Sequence, residues 1–192
     1  MKVTKAQAQA NRAHIVETAS ALFRERGYDG VGVADLMSAA GFTHGGFYKH
    51  FGSKADLMAE AAACGFSQTV ARTEGADLAT FLRHYLSRQH RDAPGQGCTM
   101  AALCSDAARQ PETVKEVFAD GVERLLAALS PDVIEDPALS RETRAKNINA
   151  IAHAVGALVL SRACPDDSRL ADEILAASRL TIPSRTSAPP KR

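Results

Sequence analysis

An all-α fold is the expectation for this 192-residue chain. Three observations predict it. Apolar residues recur at intervals of three and four along most segments, the period of a helix face, and no segment reads convincingly as a strand. Alanine runs recur within those segments, and alanine is the best helix former. Capping residues stand at the starts of the segments, and Gly or Pro stands near their ends. With 45% hydrophobic residues, the chain is long enough to bury a core.

From about Ala8 to Arg26, Ile15, Ala19, Leu22 and Phe23 share one face; Arg24, Glu25 and Arg26 face solvent, and Gly27 is the stop. "YDGVGV" reads as a turn, followed by a short helix, "VADLMSAAG", with Leu36, Met37 and Ala40 inward and Gly41 at its close. A third helix restarts at Thr43 as N-cap, with Phe47 and Phe51 at i and i+4 on its buried face. Ser53 caps a longer fourth helix over Leu57, Met58 and Ala61.

Asp77 caps the next helix, where Leu78, Phe81, Leu82, Tyr85 and Leu86 form one apolar stripe, and "RDAPGQG" breaks it. "CTMAALCSDAAR" is a short helix. Pro111 opens another, carrying Val114, Val117, Phe118, Val122, Leu125, Leu126 and Leu129. Asp136 and Pro137 open a long helix through Ile148, Ile151, Val155, Leu158 and Val159. A last helix spans roughly 168–180, and the tail 183–192, "PSRTSAPPKR", has the composition of a disordered end.

No apolar run approaches the roughly 20 residues that span a bilayer, and the N-terminus lacks a signal-peptide pattern, so the expectation is a cytoplasmic protein with no membrane partner. Cys64, Cys98, Cys104 and Cys164 form no CxxC pair, and the histidines show no ligand spacing, so no metal and no cofactor is expected. No nucleophile–base constellation or phosphate loop is visible, which argues against an enzyme. The net charge is only +1, although Lys and Arg outnumber Asp and Glu seven to five over residues 1–56.

Two short helices joined by a tight turn at Gly41 and packed on a longer helix describe a helix-turn-helix, whose second helix enters the DNA major groove. Its outer face carries Thr43, His44, Tyr48, Lys49 and His50: hydroxyl, imidazole and ammonium groups suited to phosphates and base edges. Gly45 and Gly46 sit within it at a cost of about 1 kcal/mol each relative to alanine. Close approach of the backbone to the groove is the use of glycine that would justify this.

Residues 12–60 carry "I…A..LF...GY", then "DL...AG", then "G.FY.HF.SK..L". This combination resembles the N-terminal DNA-binding domain of TetR/AcrR-type transcriptional regulators. The resemblance implies a helix-turn-helix domain at 8–56 and a helical ligand-binding and dimerisation domain at 57–182. Tyr48 and Lys54 would touch phosphates, Lys54 with a helix N-terminus behind it. Thr43, His44, Gly45, Gly46, Lys49 and His50 would face the groove, with His44 and Lys49 the best placed for base edges. One departure is Val31-Gly32, where the family often has Thr-Ser capping the second helix.

By the same resemblance the molecule is a homodimer that represses from a near-palindromic DNA operator and is released by a small-molecule inducer. The last two helices would form the interface, with Ala152, Gly156 and Ala157 small and Ile151, Val155, Leu158 and Val159 apolar. Phe66, Phe81, Tyr85, Met100 and Phe118 are the apolar candidates to line an inducer cavity. Cys98, at the start of a helix whose dipole lowers a thiol pKa, is a candidate thiol sensor with Cys104 as partner. The alternative reading is therefore a helical small-molecule or thiol-redox sensor that uses its helix-turn-helix for protein contact.

Overall fold

The computed structural model describes residues 4–73, 75–130 and 137–182, and among these every regular element is helical. The expected cap Asp136 and the tail 183–192 lie outside the described residues. Packing divides the chain into two units. One joins the residues up to Arg72 with Ala93–Leu125, and the other joins Thr73–Asp92 with the residues from Leu126 onward. The sequence division at residue 56 separates expected roles, whereas these units follow backbone proximity.

In the first unit, helix α1 (Lys5–Arg26) starts three residues before the expected Ala8, because the Thr4 hydroxyl accepts the Gln7 N–H at 3.2 Å. Gly27, with φ 74°, ends it and donates its N–H to the Phe23 carbonyl at 2.8 Å. Ile15, Ala19 and Phe23 are fully buried along its inner face. Arg24, expected in solvent, is buried instead. Its guanidinium donates to the Gly95 carbonyl at 2.9 and 2.6 Å and to the Ser20 hydroxyl at 2.6 Å. The 3-10 turn Pro94–Gln96 packs on α1 and brings in that carbonyl.

Helices α2 (Val33–Ala39) and α3 (Lys54–Thr73) complete the N-terminal layer. Beyond α4 (Leu78–Tyr85) and α5 (Arg88–Asp92), α6 (Thr99–Ala107) and α7 (Glu112–Ala128) return to the same unit through α7's Leu125. Phe66 on α3 meets Phe118 on α7 edge to face at 5.2 Å. A Cβ at Gly121 would fall 2.3–2.6 Å from the Phe66 ring, so only glycine lets α7 approach there.

The second unit contains α4, α5, α8 (Pro137–Arg162) and α9 (Arg169–Leu180). Asp77 caps α4 as expected, accepting the Thr80 N–H at 2.7 Å. The helix ends at Tyr85, before the expected break at 91–97, and a separate short helix α5 follows whose last two residues, Arg91 and Asp92, open that stretch. It carries the buried Arg91, whose guanidinium donates to the carbonyls of Ser161 (3.2 Å), Pro165 (3.2 Å) and Asp166 (3.3 Å). A cation is thus held against carbonyls at and just beyond the C-terminal end of α8, where the helix dipole favours it. The Ser161 hydroxyl donates to the Ala171 carbonyl at 2.9 Å and ties α8 to α9.

Helix α8 has two apolar faces. Ile151, Ala154, Ala157 and Leu158 are buried within the protomer, whereas Ile148, Ala152, Gly156, Val159 and Leu160 are exposed. The expected interface set is corrected accordingly: Ile151, Ala157 and Leu158 face inward, and Leu160 joins the outer face. None of the helices among the described residues is long and apolar enough to cross a membrane.

Candidate nucleic-acid interface

The interface is built on α2 and the turn that follows it. Gly32, the N-cap of α2, has no side chain to cap with; instead the Asp35 carboxylate reaches back to accept the Gly32 N–H at 3.3 Å. Val31 and Leu36, the positions of a hydrophobic staple, are both buried. At the other end Gly41, with φ 79°, donates its N–H to the Ser38 carbonyl at 3.0 Å, and Phe42 donates to Met37 at 2.8 Å. These two bonds make a Schellman cap, which needs the left-handed residue that glycine supplies.

The chain then runs extended through Thr43 into His44–Lys49. This segment is a six-residue 3-10 helix and not the expected α-helix. Two adjacent glycines and a length under two α-turns leave it little intrinsic helix stability, and short 3-10 pieces are common in such connectors. Thr43 stands at the N-cap position, but its hydroxyl makes no capping bond; its carbonyl accepts the Gly46 N–H at 2.9 Å.

Packing holds the segment in place. Phe47 and Phe51 are buried with ring centroids 5.4 Å apart. Thr43, His44, Gly45, Tyr48 and Lys49 are exposed, Tyr48 by 70%, and Gly46 and His50 are half-buried. A Cβ at Gly45 would meet nothing within 4 Å, and one at Gly46 would meet only the Met37 Cε at 3.5 Å and the Thr43 hydroxyl at 3.7 Å. Nothing inside the protomer therefore requires glycine at either position.

Lys54 differs from the rest of the expected set. It opens α3, where the Ser53 hydroxyl accepts the Asp56 N–H at 3.1 Å, but its ammonium turns inward to donate to the Tyr28 carbonyl at 2.5 Å. The Tyr28 N–H in turn donates to Asp106 of α6 at 3.0 Å. Burial, then the nearby Asp106, pushes the Tyr28 phenol well above its usual range.

One residue that supports the 3-10 segment went unseen in the sequence. Arg12 on α1 pairs through both terminal nitrogens with the Glu60 carboxylate on α3. Its Nε donates to the His50 carbonyl at 3.3 Å, and its guanidinium carbon lies 4.7 Å from the Phe51 ring centroid. The partners are 38 and 48 residues away, so no local spacing signals them.

The remaining candidates fall elsewhere. Phe66 and Phe118 pack together in the first unit, which also contains the buried Met100, whereas Phe81 and Tyr85 pair at 5.3 Å in the second. Cys98, expected at a flexible helix start, is the buried N-cap residue of α6. Cys104 is exposed as a residue, yet burial of its thiol, then the neighbouring Cys98, pushes its pKa up to about 11. Burial shields the Cys98 sulfur, and the raised pKa of Cys104 keeps its thiol protonated near neutral pH. Among the described residues no cluster of His, Cys, Asp or Glu could hold a metal ion.

Residues 15–61 match the family described as bacterial regulatory proteins, tetR family. The transcriptional regulator AcrR of Shigella flexneri is 40% identical over 57 residues, 30% of this chain and 26% of that protein. The transcriptional repressor DhaR of a Mycobacterium species is 36% identical over 93 residues, 45% of this chain and 47% of the relative. The matched stretches thus span about a quarter to a half of these relatives. In fold, the chain is similar to Escherichia coli NemR in its reduced form (TM-score 0.70, 18% identity, 90% of this chain and 95% of that one). It is also similar to AibR in complex with isovaleryl coenzyme A and operator DNA (TM-score 0.54, 19% identity, 88% and 96%).

Proposed function

We propose that this chain, whose residues 15–61 match the bacterial regulatory proteins of the tetR family, is a homodimeric repressor of transcription and not an enzyme. It would read a near-palindromic operator and be released by a small-molecule inducer. The observation that carries the reading is the exposed face of the 3-10 helix. Thr43, His44, Tyr48 and Lys49 stand outward on a segment whose other side is pinned by Phe47 and Phe51. Tyr48 and Lys49 would meet phosphate and groove, His44 would meet base edges, and the bare backbone at Gly45 and Gly46 would let the helix settle close to the DNA.

Lys54 would join them by releasing the Tyr28 carbonyl or by sharing its remaining N–H donors with a phosphate. The outer faces of α8 and α9 supply the apolar area for a second copy through Ile148, Val159, Leu160 and Leu170. Ala152 and Gly156, exposed and small, allow close helix approach. AibR, whose solved complex holds both a coenzyme A thioester and operator DNA, supports a ligand-responsive reading. Phe66, Met100 and Phe118 in the first unit, or Phe81 and Tyr85 in the second, remain the apolar candidates for the inducer seat. Inducer would act by binding more tightly to a conformer whose two recognition helices no longer match the operator spacing.

The test is selection of duplexes from a randomised DNA library by the purified protein, followed by anisotropy titration. A two-fold-symmetric consensus bound as a dimer is expected, and so is its loss with Tyr48→Ala and Lys49→Ala. Failure to enrich any sequence would sink the proposal.

A further inference from the structure

Arg12 makes three interactions that all bear on the recognition segment. Its two terminal nitrogens engage the Glu60 carboxylate on α3, its Nε reaches the carbonyl of His50, and its planar face lies 4.7 Å from the Phe51 ring centroid. His50 is the C-cap of the 3-10 helix, and Phe51 is one of its two anchors. The guanidinium therefore holds the end of the segment where the chain leaves the DNA face. Only arginine can do all three at once, since a lysine ammonium lacks both the planar fork and the stacking face.

The segment needs an outside hold. It is six residues long and contains two glycines, its Thr43 cap makes no side-chain bond, and a Cβ at its Gly45 would meet nothing within 4 Å. Its intrinsic stability cannot fix the direction of His44, Tyr48 and Lys49.

We propose that the Arg12–Glu60 pair is the positioning clamp of the recognition helix, setting its orientation, and hence sequence discrimination, without itself touching DNA. The proposal rests on the DNA-reading role above. Glu60 is the decisive position, because removing its negative charge makes the protein more basic. Simple electrostatics then predicts equal or tighter DNA binding, whereas a clamp predicts weaker binding to the correct sequence alone.

The experiment compares wild type, Glu60→Gln and Arg12→Lys on the duplex selected by wild type and on a scrambled duplex of the same composition, at several salt concentrations. Thermal unfolding is measured alongside. In Glu60→Gln the selected duplex is expected to lose about tenfold in affinity, the scale of one misread base pair. Affinity for the scrambled duplex should hold, with its salt slope unchanged. Arg12→Lys, which keeps the charge, should show the same selective loss and serves if Glu60→Gln fails to fold. Undiminished affinity of both variants for the selected duplex would overturn the clamp. A parallel loss on both duplexes would also overturn it, marking the pair as merely structural if the melting temperature falls with it, or Arg12 as a direct phosphate contact if the melting temperature holds. A wild type that selects no duplex would fail the DNA-reading role instead.

Discussion

Nothing inside the protomer calls for glycine at position 46. A methyl group there would make only ordinary contacts, so Gly46→Ala is expected to leave stability equal or raise it by up to about 1 kcal/mol, measured by urea unfolding. Affinity for the selected duplex should be equal or weaker. Tighter binding of unchanged specificity would show that helix stability, and not close approach, governs the site. Cys104 gives a pH prediction. Its folded pKa of about 11 lies above the ordinary 9.0, so its stabilisation is complete below pH 9 and is lost as pH rises through 11. Tyr28, raised by burial, pulls in the same direction at higher pH. The unfolding free energy should therefore fall between pH 9 and 11, and Cys104→Ser should remove part of that slope. A flat profile would contradict the buried thiol.

At the scale of elements, the ends of helices were more legible than their faces. Gly27, Gly41 and Asp77 act in the structure as their residue types require, because a cap depends on a few neighbouring atoms. The 3-10 form of His44–Lys49 and the short α5 were not legible, since both depend on what packs around them. Arg91 shows the same dependence: a basic residue in a stretch read as a helix breaker becomes the buried cap of α8. Arg91→Ala would remove the hydrogen bonds that a buried guanidinium donates to the carbonyls of Ser161, Pro165 and Asp166, and should cost about 2 kcal/mol in urea unfolding. A loss below about 0.5 kcal/mol would mean that water replaces the guanidinium easily.

For the whole molecule, the outer face of α8 is the feature to test. Leu160 is 61% exposed, so Leu160→Asp should leave the protomer's circular dichroism unchanged while shifting sedimentation from dimer to monomer. Affinity for a two-fold-symmetric duplex should then fall by about a hundredfold or more, as the linked second half-site is lost. An unchanged dimer would move the interface elsewhere. The two recognition helices of a dimer would need to stand about 34 Å apart to meet successive major grooves.

The helical class, most helix ends, the buried pair Phe47 and Phe51, and the exposed set Thr43, His44, Tyr48 and Lys49 were readable from the sequence, because periodicity and capping act within a few residues. Tertiary structure alone decided that Arg24 and Cys98 are buried, that Lys54 bonds to the Tyr28 carbonyl, and which stripe of α8 faces outward. It also brought Arg12 to Glu60 and His50. Each of these depends on atoms brought together from distant parts of the chain, and burial and pairing at that range leave no mark in local sequence spacing.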